Sequence, residues 1–287
     1  MAAPSRTALP SPVTEWSSRS EFTGCGGYAF PAGRVPFNIV ASRLMDFDLI
    51  ASEYARHRKI MLPVLDGLRD FVAGIDRKGA VLELGSGTGN YIIALAESTG
   101  CAAWGIDCAK GMLAEAVSRG SEVHFAVGDA TKLALAADRF DLVFSVDVIH
   151  HIGPNGRLVS YYEEARRVLK EGGRVCTVTH SEALLRSSTV LSRYFPEAVE
   201  LLVADYPPIN ALRDVMAAVG FAEIVERIVG HPVSVTNATA YAAKAYSALN
   251  LMSAKAFERG LRRLEADLAT GPIHGTRRAL MLWGTKR

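Results

Sequence analysis

The sequence lacks the features that mark several large classes of protein. It contains no apolar run approaching the roughly 20 residues of a membrane-spanning helix, and its N-terminal region contains no continuous apolar core of a secretory signal. Its four cysteines are scattered, without a CxxC pair, which excludes a zinc site of the usual spacing and favours four reduced thiols in a cytoplasmic protein. The net charge of +2 gives a nucleic-acid partner no support.

The composition is that of an ordinary globular protein, with 49% hydrophobic and 22% charged residues. A length of 287 residues suits one α/β domain with additions. Residues 1–44 are rich in Pro, Ser and Gly without a sustained period, and we expect a flexible tail there. The regular pattern starts just after Met45, so one hypothesis is that the native chain begins at that residue. We predict a single domain over 45–287.

From residue 47 onward the hydrophobic pattern alternates between two periods. Helical spacing over 47–72 is divided by Pro63. Short apolar runs then alternate with helical segments; the runs are 80–84, 101–106, 123–127, 140–146, 174–179, 221–229 and 280–284. This alternation predicts a doubly wound, seven-stranded, mostly parallel sheet with helices on both faces. Ligands of such sheets bind at the carboxyl ends of the strands.

The loop after the first run reads GSGTG, from Gly85 to Gly89. Alternate glycines between a strand and a helix allow a tight turn and the close approach of a ligand to bare backbone. A dinucleotide site of the GxGxxG/A type would need Gly or Ala at position 90, where this chain has Asn90. The spacing therefore fits a nicotinamide cofactor poorly.

Acidic residues lie at the ends of three successive predicted strands. They are Glu83, Asp107 (18 positions after Gly89) and Asp129. A carboxylate at Asp107 is suited to accept hydrogen bonds from both hydroxyls of a ribose, and it is equally suited to cap the helix that follows. An acid at Asp129 is suited to the amino group of an adenine. Together the three acids predict a site for an adenosine without phosphates.

Five segments carry a family resemblance. In order, VLELGSGTGNY, GIDCAKGML, VGDATKL, FDLVFSVDVIHHI and RVLKEGGRV resemble the motif series of class I S-adenosylmethionine-dependent methyltransferases, above all the UbiE-like (methyltransferase type 11) small-molecule subgroup. The resemblance covers about 45–180 well and 181–287 loosely. It implies a Rossmann-like methyltransferase fold, S-adenosyl-L-methionine as co-substrate and a small-molecule methyl acceptor.

The resemblance also implies a set of cofactor-binding residues. The glycine loop would approach methionine and ribose, the end of the fourth strand would offer backbone to the methionyl amine, and Arg58 would clamp the carboxylate, unless it only lies on a solvated helix face. The implied residues are Tyr54, Arg58, Glu83, Gly85, Ser86, Gly87, Gly89, Asp107, Cys108, Met112, Asp129, Ala130 and Val146.

Histidines follow the fourth and fifth predicted strands, where an acceptor would lie. His150 and His151 are candidate catalytic bases, because a neutral imidazole suits proton removal near pH 7; a structural role is the alternative. His180 is a second candidate. Asp147 alone is no acidic cluster, so we predict no metal.

Two segments, about 181–208 and 231–272, exceed what the minimal fold requires. We expect them to form helical caps over the carboxyl ends of the strands and to close one wall of a partly apolar acceptor pocket. Two alternatives to a small-molecule methyltransferase stay open: a catalytically silent cofactor-binding or regulatory module of the same fold, and a nicotinamide-dependent oxidoreductase. The sequence determines neither the acceptor nor the oligomeric state.

Overall fold

The computed structural model describes residues 47–75, 79–153, 157–187 and 189–287. The predicted tail over 1–44 and the hypothesis about Met45 lie outside this part of the chain. One seven-stranded sheet has the strand order β3-β2-β1-β4-β5-β7-β6. The strands are β1 (Ala80–Leu84), β2 (Ala102–Asp107), β3 (His124–Val127), β4 (Phe140–Val146), β5 (Leu169–Thr179), β6 (Phe221–Val235) and β7 (Ile273–Lys286). Only β7 runs antiparallel to its neighbours, which confirms the predicted doubly wound, mostly parallel fold.

Helices connect the strands and cover both faces of the sheet. They are α1 (Phe47–His57), α2 (Leu62–Ala73), α3 (Asn90–Thr99), α4 (Lys110–Ser118), α5 (Ile149–Ile152), α6 (Arg157–Val168), α7 (Glu182–Arg186), α8 (Thr189–Tyr194), α9 (Pro196–Asp205), α10 (Ile209–Ala218), α11 (Thr239–Ala242), α12 (Ser247–Asn250) and α13 (Ala254–Leu268). The predicted division at Pro63 is confirmed, since this residue lies in the first turn of α2. In the described ranges, none of these helices combines the length and apolar character that crossing a membrane requires.

The sheet separates two hydrophobic clusters. Val81 and Leu82 are consecutive in β1 and fully buried, yet they belong to clusters on opposite faces. This follows from the two-residue period of a strand. Burying one such side chain stabilises the fold by about 1.5–3 kcal/mol, so a strand covered on both faces is anchored from both sides. The sheet therefore gives the loops at its carboxyl edge a rigid base.

The last two strands are longer than the sequence analysis predicted. β6 continues from 229 to Val235, and β7 begins at Ile273 instead of 280. Pairing of β7 with β5 ends at Leu280, whereas its pairing with β6 continues to Ile273. The two strands thus extend past the carboxyl end of β5 as a two-stranded ribbon, which we call the ribbon (230–235 and 273–279). The hydrophobic pattern did not predict the ribbon, because its residues are a mixture of polar and apolar ones. A strand that pairs on one side only and lies outside the sheet does not need a continuous apolar run. The start of β5 was likewise predicted five residues too late, at 174 instead of Leu169.

The two cap segments share a third hydrophobic cluster. Phe195 of the first segment stacks near Tyr241 and Phe257 of the second, with ring centroids 6.0 Å apart in both pairs. Tyr194 donates a hydrogen bond to Asp267 over 2.6 Å. The described helices of both segments therefore form one body, which we call the cap, at the end of the ribbon.

Candidate functional site

The glycine loop joins β1 to α3 and is fixed to the neighbouring strand. The N–H groups of Gly85 and Ser86 both donate to the Ile106 carbonyl, over 2.7 and 3.0 Å. Gly85 and Gly87 have φ values of 70° and 52°, in the left-handed region that favours glycine. A Cβ at Gly85 would lie 2.4 Å from Val148, whereas one at Gly87 would meet nothing within 4 Å. The loop is thus tightly packed on one side and presents bare backbone on the other.

Asp107, at the end of β2, supports this loop. Its carboxylate accepts hydrogen bonds from the N–H groups of Gly87 and Ala109, over 2.7 and 2.8 Å. Burial raises the pKa of Asp107, and the backbone hydrogen bonds offset only part of this rise. The side chain therefore links the glycine loop to the start of α4. Its predicted bonds to a ribose remain a prediction.

Glu83 lies inside the site with 2% of its surface exposed. Its carboxylate accepts a hydrogen bond from the N–H of Ile92 over 3.1 Å. Burial raises the pKa of Glu83 well above its usual value, and this single backbone bond does not reverse the shift. A positive group bound beside Glu83 would lower its pKa again, because an opposite charge favours the ionised form.

Asp129 follows β3 and is held by two partners. Its carboxylate accepts from the N–H and the hydroxyl of Thr131, over 2.8 and 2.7 Å, and from Arg157 over 3.0 Å. Burial raises the pKa of Asp129, but the bonds from Thr131 and Arg157 outweigh it and the pKa is lowered. The carboxylate is ionised near pH 7. Its predicted contact with adenine stays a prediction.

Asp147 connects the N-terminal helices to the histidines. It follows β4 with a φ of 56°, which a residue other than glycine seldom adopts. Its carboxylate bonds to Nη2 of Arg58 over 2.8 Å, and its other oxygen lies 3.4 Å from Nδ1 of His180. That second separation is long for a hydrogen bond, so the imidazole lies beside the carboxylate without a close contact. Burial raises the pKa of Asp147, yet His180 and Arg58 more than offset it and hold the pKa far below its usual range.

The two histidines of α5 differ in exposure. His150 is 4% exposed and stacks on Tyr206 with centroids 4.0 Å apart. Burial and the neighbouring His151 lower the pKa of His150 well below its usual value, so its ring is neutral near pH 7. His151 is half-buried and contacts Phe47 of α1 edge to face over 5.2 Å. The histidines, Tyr206 and Asp147 thus form one cluster beside the end of β4.

Helix α1 lies across the carboxyl edge of the sheet. Its first residue, Phe47, reaches His151, and Asp48 accepts a hydrogen bond from the N–H of Gly111 in α4 over 2.5 Å. A Cβ at Gly111 would lie 3.0 Å from the backbone of Asp48. The helix therefore bridges the start of α4 and the histidine cluster.

One cleft collects the groups around the glycine loop. Its lining residues are Arg58, Lys59, Glu83, Gly85, Ser86, Gly87, Thr88, Asn90, Tyr91, Val146, Asp147 and Arg277. Six of the thirteen predicted cofactor residues line it: Arg58, Glu83, Gly85, Ser86, Gly87 and Val146. The predicted residues outside the lining are Gly89, Asp107, Cys108, Met112, Asp129 and Ala130, and the side chain of Tyr54 lies outside what the structure describes.

Sequence reasoning missed several lining residues, Arg277 above all. Arg277 comes from the ribbon and donates a hydrogen bond to the carbonyl of Lys59 over 3.3 Å. The two residues are 218 positions apart, so no local pattern joins them. Tyr91 offered a local signal, since it directly follows Asn90 in the first turn of α3; its hydroxyl accepts from the N–H of Met61 over 2.9 Å.

The cysteines depart from the sequence expectation at one position. Cys101 and Cys176 are buried and form no disulfide bond, whereas Cys108 is disulfide-bonded. The expectation of four reduced thiols is therefore wrong at Cys108, whose side chain lies exposed beside Asp107. Within the described ranges, no group of three or more His, Cys, Asp or Glu residues is arranged to hold a metal ion.

The residues of the cleft fit S-adenosylmethionine, the co-substrate that the resemblance implies. The open side of Gly87 admits a ligand close to the backbone. The buried hydroxyls of Ser86 and Thr88 have no hydrogen-bond partner among the described residues, although buried polar groups are normally satisfied. Glu83 and Arg58 offer a carboxyl group and a guanidinium to the amino-acid end of the cofactor.

Comparison with known proteins supports the same assignment. Residues 81–173 match the family model of a methyltransferase domain. A candidate methyltransferase of Encephalitozoon cuniculi is 35% identical over 99 residues, which are 34% of this chain and 44% of the relative. The tRNA (carboxymethyluridine(34)-5-O)-methyltransferase of Arabidopsis thaliana is 27% identical over 170 residues, 58% of this chain and 40% of the relative. The chain thus spans less than half the length of these curated relatives.

Solved structures share the fold. A candidate methyltransferase from an antibiotic biosynthesis pathway of Anabaena variabilis superposes with a TM-score of 0.62 at 19% identity, over 79% of this chain and 98% of that one. Phosphoethanolamine N-methyltransferase 2 of Haemonchus contortus, in complex with phosphomonomethylethanolamine and S-adenosylhomocysteine, superposes with a TM-score of 0.55 at 21% identity, over 90% and 61% of the two chains. The domain match and such complexes support S-adenosylmethionine as the cofactor. Residues 81–173 thus match a methyltransferase domain, within a chain that has the α/β Rossmann-like fold of these methyltransferase structures.

Proposed function

We propose that the chain transfers a methyl group from S-adenosylmethionine to a small-molecule acceptor, as an enzyme of the UbiE-like subgroup in the cytoplasm. The observation that carries the proposal is the bare backbone at Gly87, beside the carboxyl groups of Glu83 and Asp107. The methyltransferase domain match favours this function over the nicotinamide-dependent alternative. The cap above the carboxyl edge favours a small acceptor, because it would obstruct a broad macromolecular surface.

The proposed cofactor pose follows the carboxyl edge of the sheet. Glu83 and the backbone of Val146 face the methionyl ammonium, Arg58 faces the carboxylate and Asp107 binds the ribose hydroxyls. Asp129 and Ala130 meet the adenine edge, flanked by Met112 and Cys108. In this pose Arg58 exchanges part of its interaction with Asp147 for the cofactor carboxylate, and the ammonium lowers the pKa of Glu83 from its raised value.

The reaction is an in-line displacement. A lone pair of the acceptor forms a bond to the methyl carbon while the carbon–sulfur bond breaks, and its electron pair stays on sulfur to give S-adenosylhomocysteine. The sulfonium charge disappears in this step, so the protein has to align the reactants more than to stabilise new charge. An acceptor that carries a proton on its nucleophile also needs a base.

His180 is the best placed of the three candidate histidines to act as that base. It lies 3.4 Å from the Asp147 carboxylate, and a neighbouring carboxylate can orient an imidazole toward a substrate. His150 is neutral, as a base must be, but it is buried against Tyr206. His151 is half-buried and stays a candidate base beside His180.

The test uses the full chain and one variant pair. Titration calorimetry with S-adenosylhomocysteine measures cofactor binding, and transfer of a labelled methyl group to small metabolite fractions measures turnover. Asp107→Asn should weaken S-adenosylhomocysteine binding by about tenfold or more, since hydrogen bonds to a charged group contribute roughly 1.5–3 kcal/mol. Asp214→Asn, at an exposed position of α10, is the matched control and should leave binding unchanged.

Three results would contradict the proposal in different ways. Tight NADH binding without S-adenosylhomocysteine binding would favour an oxidoreductase. Cofactor binding without turnover on any fraction would favour a silent module. Labelled methyl groups found only on RNA would replace the small acceptor with a macromolecule.

A further inference from the structure

Two cations of the cleft have no acidic partner. Arg58 is paired with Asp147, but neither Lys59 nor Arg277 makes an ion pair with a carboxylate of the described residues. Both line the cleft, and Arg277 is held there by its bond to the carbonyl of Lys59. Arg277 is half-buried and Lys59 is exposed, so Arg277 is the less hydrated of the two and the better placed to bind an anion.

The cofactor does not supply enough negative charge to balance these cations. With Glu83 protonated, the described lining residues carry three positive charges and one negative charge; even with Glu83 ionised, a positive charge is left over. S-Adenosylmethionine brings one carboxylate, but its ammonium and sulfonium groups bring two positive charges at neutral pH. A cleft that holds the cofactor is therefore more positive than before, which favours an acceptor that carries negative charge.

Arg277 lies between the cofactor cleft and the cap. Its positive charge acts on Tyr91 in the cleft and on Tyr241 in the cap, opposing in both cases the rise in pKa that burial causes. His231 lies directly opposite Arg277 across the ribbon, and paired residues of an antiparallel ribbon share one face. Nδ1 of His231 is buried with no hydrogen-bond partner among the described residues, which leaves a second polar group unsatisfied beside Arg277.

We infer that the methyl acceptor carries an oxyanion, a phosphate or a carboxylate, which binds to Arg277 and Lys59 beneath the cap. This inference rests on the proposed function and adds the chemical class of its acceptor. A planar guanidinium binds such groups through two parallel hydrogen bonds, and the neighbouring ammonium adds charge. Anchoring the acceptor by its oxyanion would fix the direction from which its nucleophile approaches the methyl carbon.

The charges of the cap favour a small oxyanion over an RNA backbone. Several arginines on its surface are already paired with acids, among them Arg193 with Asp267 and Arg259 with Glu197, whereas Arg263 donates a hydrogen bond to the Arg193 carbonyl. An RNA-binding face would instead present several unpaired cations in a row.

The experiment measures anion binding to the full chain saturated with S-adenosylhomocysteine. Inorganic phosphate and succinate are the probes, titrated separately by calorimetry so that a phosphate site is distinguished from a carboxylate site. Arg277→Gln and Lys59→Gln should each weaken binding of the preferred probe by at least about tenfold, since each substitution removes a charged hydrogen-bond donor to the anion. Arg278→Gln is the matched control, because Arg278 is exposed on the opposite face of the same strand.

The outcomes separate this inference from the function on which it rests. Saturable binding that Arg277→Gln weakens and Arg278→Gln does not would support it. Probe binding that occurs only in the absence of S-adenosylhomocysteine would overturn it, because Arg277 would then serve the cofactor carboxylate. The inference would also be overturned by equal losses of binding in Arg277→Gln and Arg278→Gln. Absence of probe binding up to tens of millimolar would overturn it, as would RNA binding in place of probe binding. Failure of S-adenosylhomocysteine to bind the unaltered chain would contradict the proposed function itself.

Discussion

Asp147→Asn tests whether the ion pair with Arg58 is a structural element of the site. The pair spans 2.8 Å, and its side chains are only 22% and 15% exposed. Removing one partner of a fully buried pair destabilises a protein by about 3–5 kcal/mol, because it leaves an uncompensated charge. The residual exposure here reduces that figure, and we expect the free energy of unfolding to fall by about 2–3 kcal/mol. For a chain of this size the melting temperature should then fall by about 5–10 °C.

A surface pair of similar geometry provides the control. Arg69 and Asp66 lie 2.9 Å apart, but their side chains are 39% and 55% exposed. Asp66→Asn should change the free energy of unfolding by less than about 0.5 kcal/mol, since water and salt screen exposed pairs. Urea unfolding followed by circular dichroism compares both variants with the unaltered chain. An equal effect of the two substitutions would refute the reasoning, because burial would then not decide the strength of the pair.

The pH dependence gives a second check on the same pair. The pKa of Asp147 is lower in the folded chain than in the unfolded chain. Its stabilising contribution is therefore complete above the unfolded pKa of about 3.9 and is lost as the pH falls through the folded value. The difference between the unaltered chain and Asp147→Asn should persist from pH 8 to about pH 4 and shrink only in stronger acid. A difference that was present at pH 5 and vanished by pH 8 would assign the effect to a protonated histidine instead.

Three further predictions concern the cap, Glu83 and the histidines. Gly260→Ala should destabilise the cap by about 1–3 kcal/mol through overpacking, since the added Cβ would lie 2.5 Å from Phe195; proteolysis of the cap helices measures it, and unchanged protection would contradict it. The raised pKa of Glu83 favours the folded state only while the carboxyl is protonated, so this contribution to the melting temperature of the unaltered chain should decline as the pH rises above about 4.3. Glu83→Gln should flatten that decline. Parallel curves of melting temperature against pH for the two chains would contradict the prediction. His180→Gln should lower turnover by about 10²-fold or more and remove a limb of the pH–rate profile while cofactor affinity is kept, and the same loss in His151→Gln alone would assign the base to His151.

The sequence by itself determined the layout of the sheet and the place of the glycine loop. Hydrophobic period is a local property, so the seven strands and their parallel arrangement could be predicted without any knowledge of contacts. The glycine loop is equally local, because only glycine adopts the backbone angles found at Gly85 and Gly87 without strain. Asp107 and Asp129 could be placed at the same edge because parallel strands end together.

Only the tertiary structure decided which charged groups meet. Arg58 and Asp147 are separated by 89 positions, and Arg277 and Lys59 by 218. Such contacts depend on the register of distant strands and on the closure of long loops, neither of which leaves a periodic signal. The ribbon that brings Arg277 to the cleft was hidden for the same reason, since a two-stranded extension outside the sheet does not require the continuous apolar pattern of a buried strand.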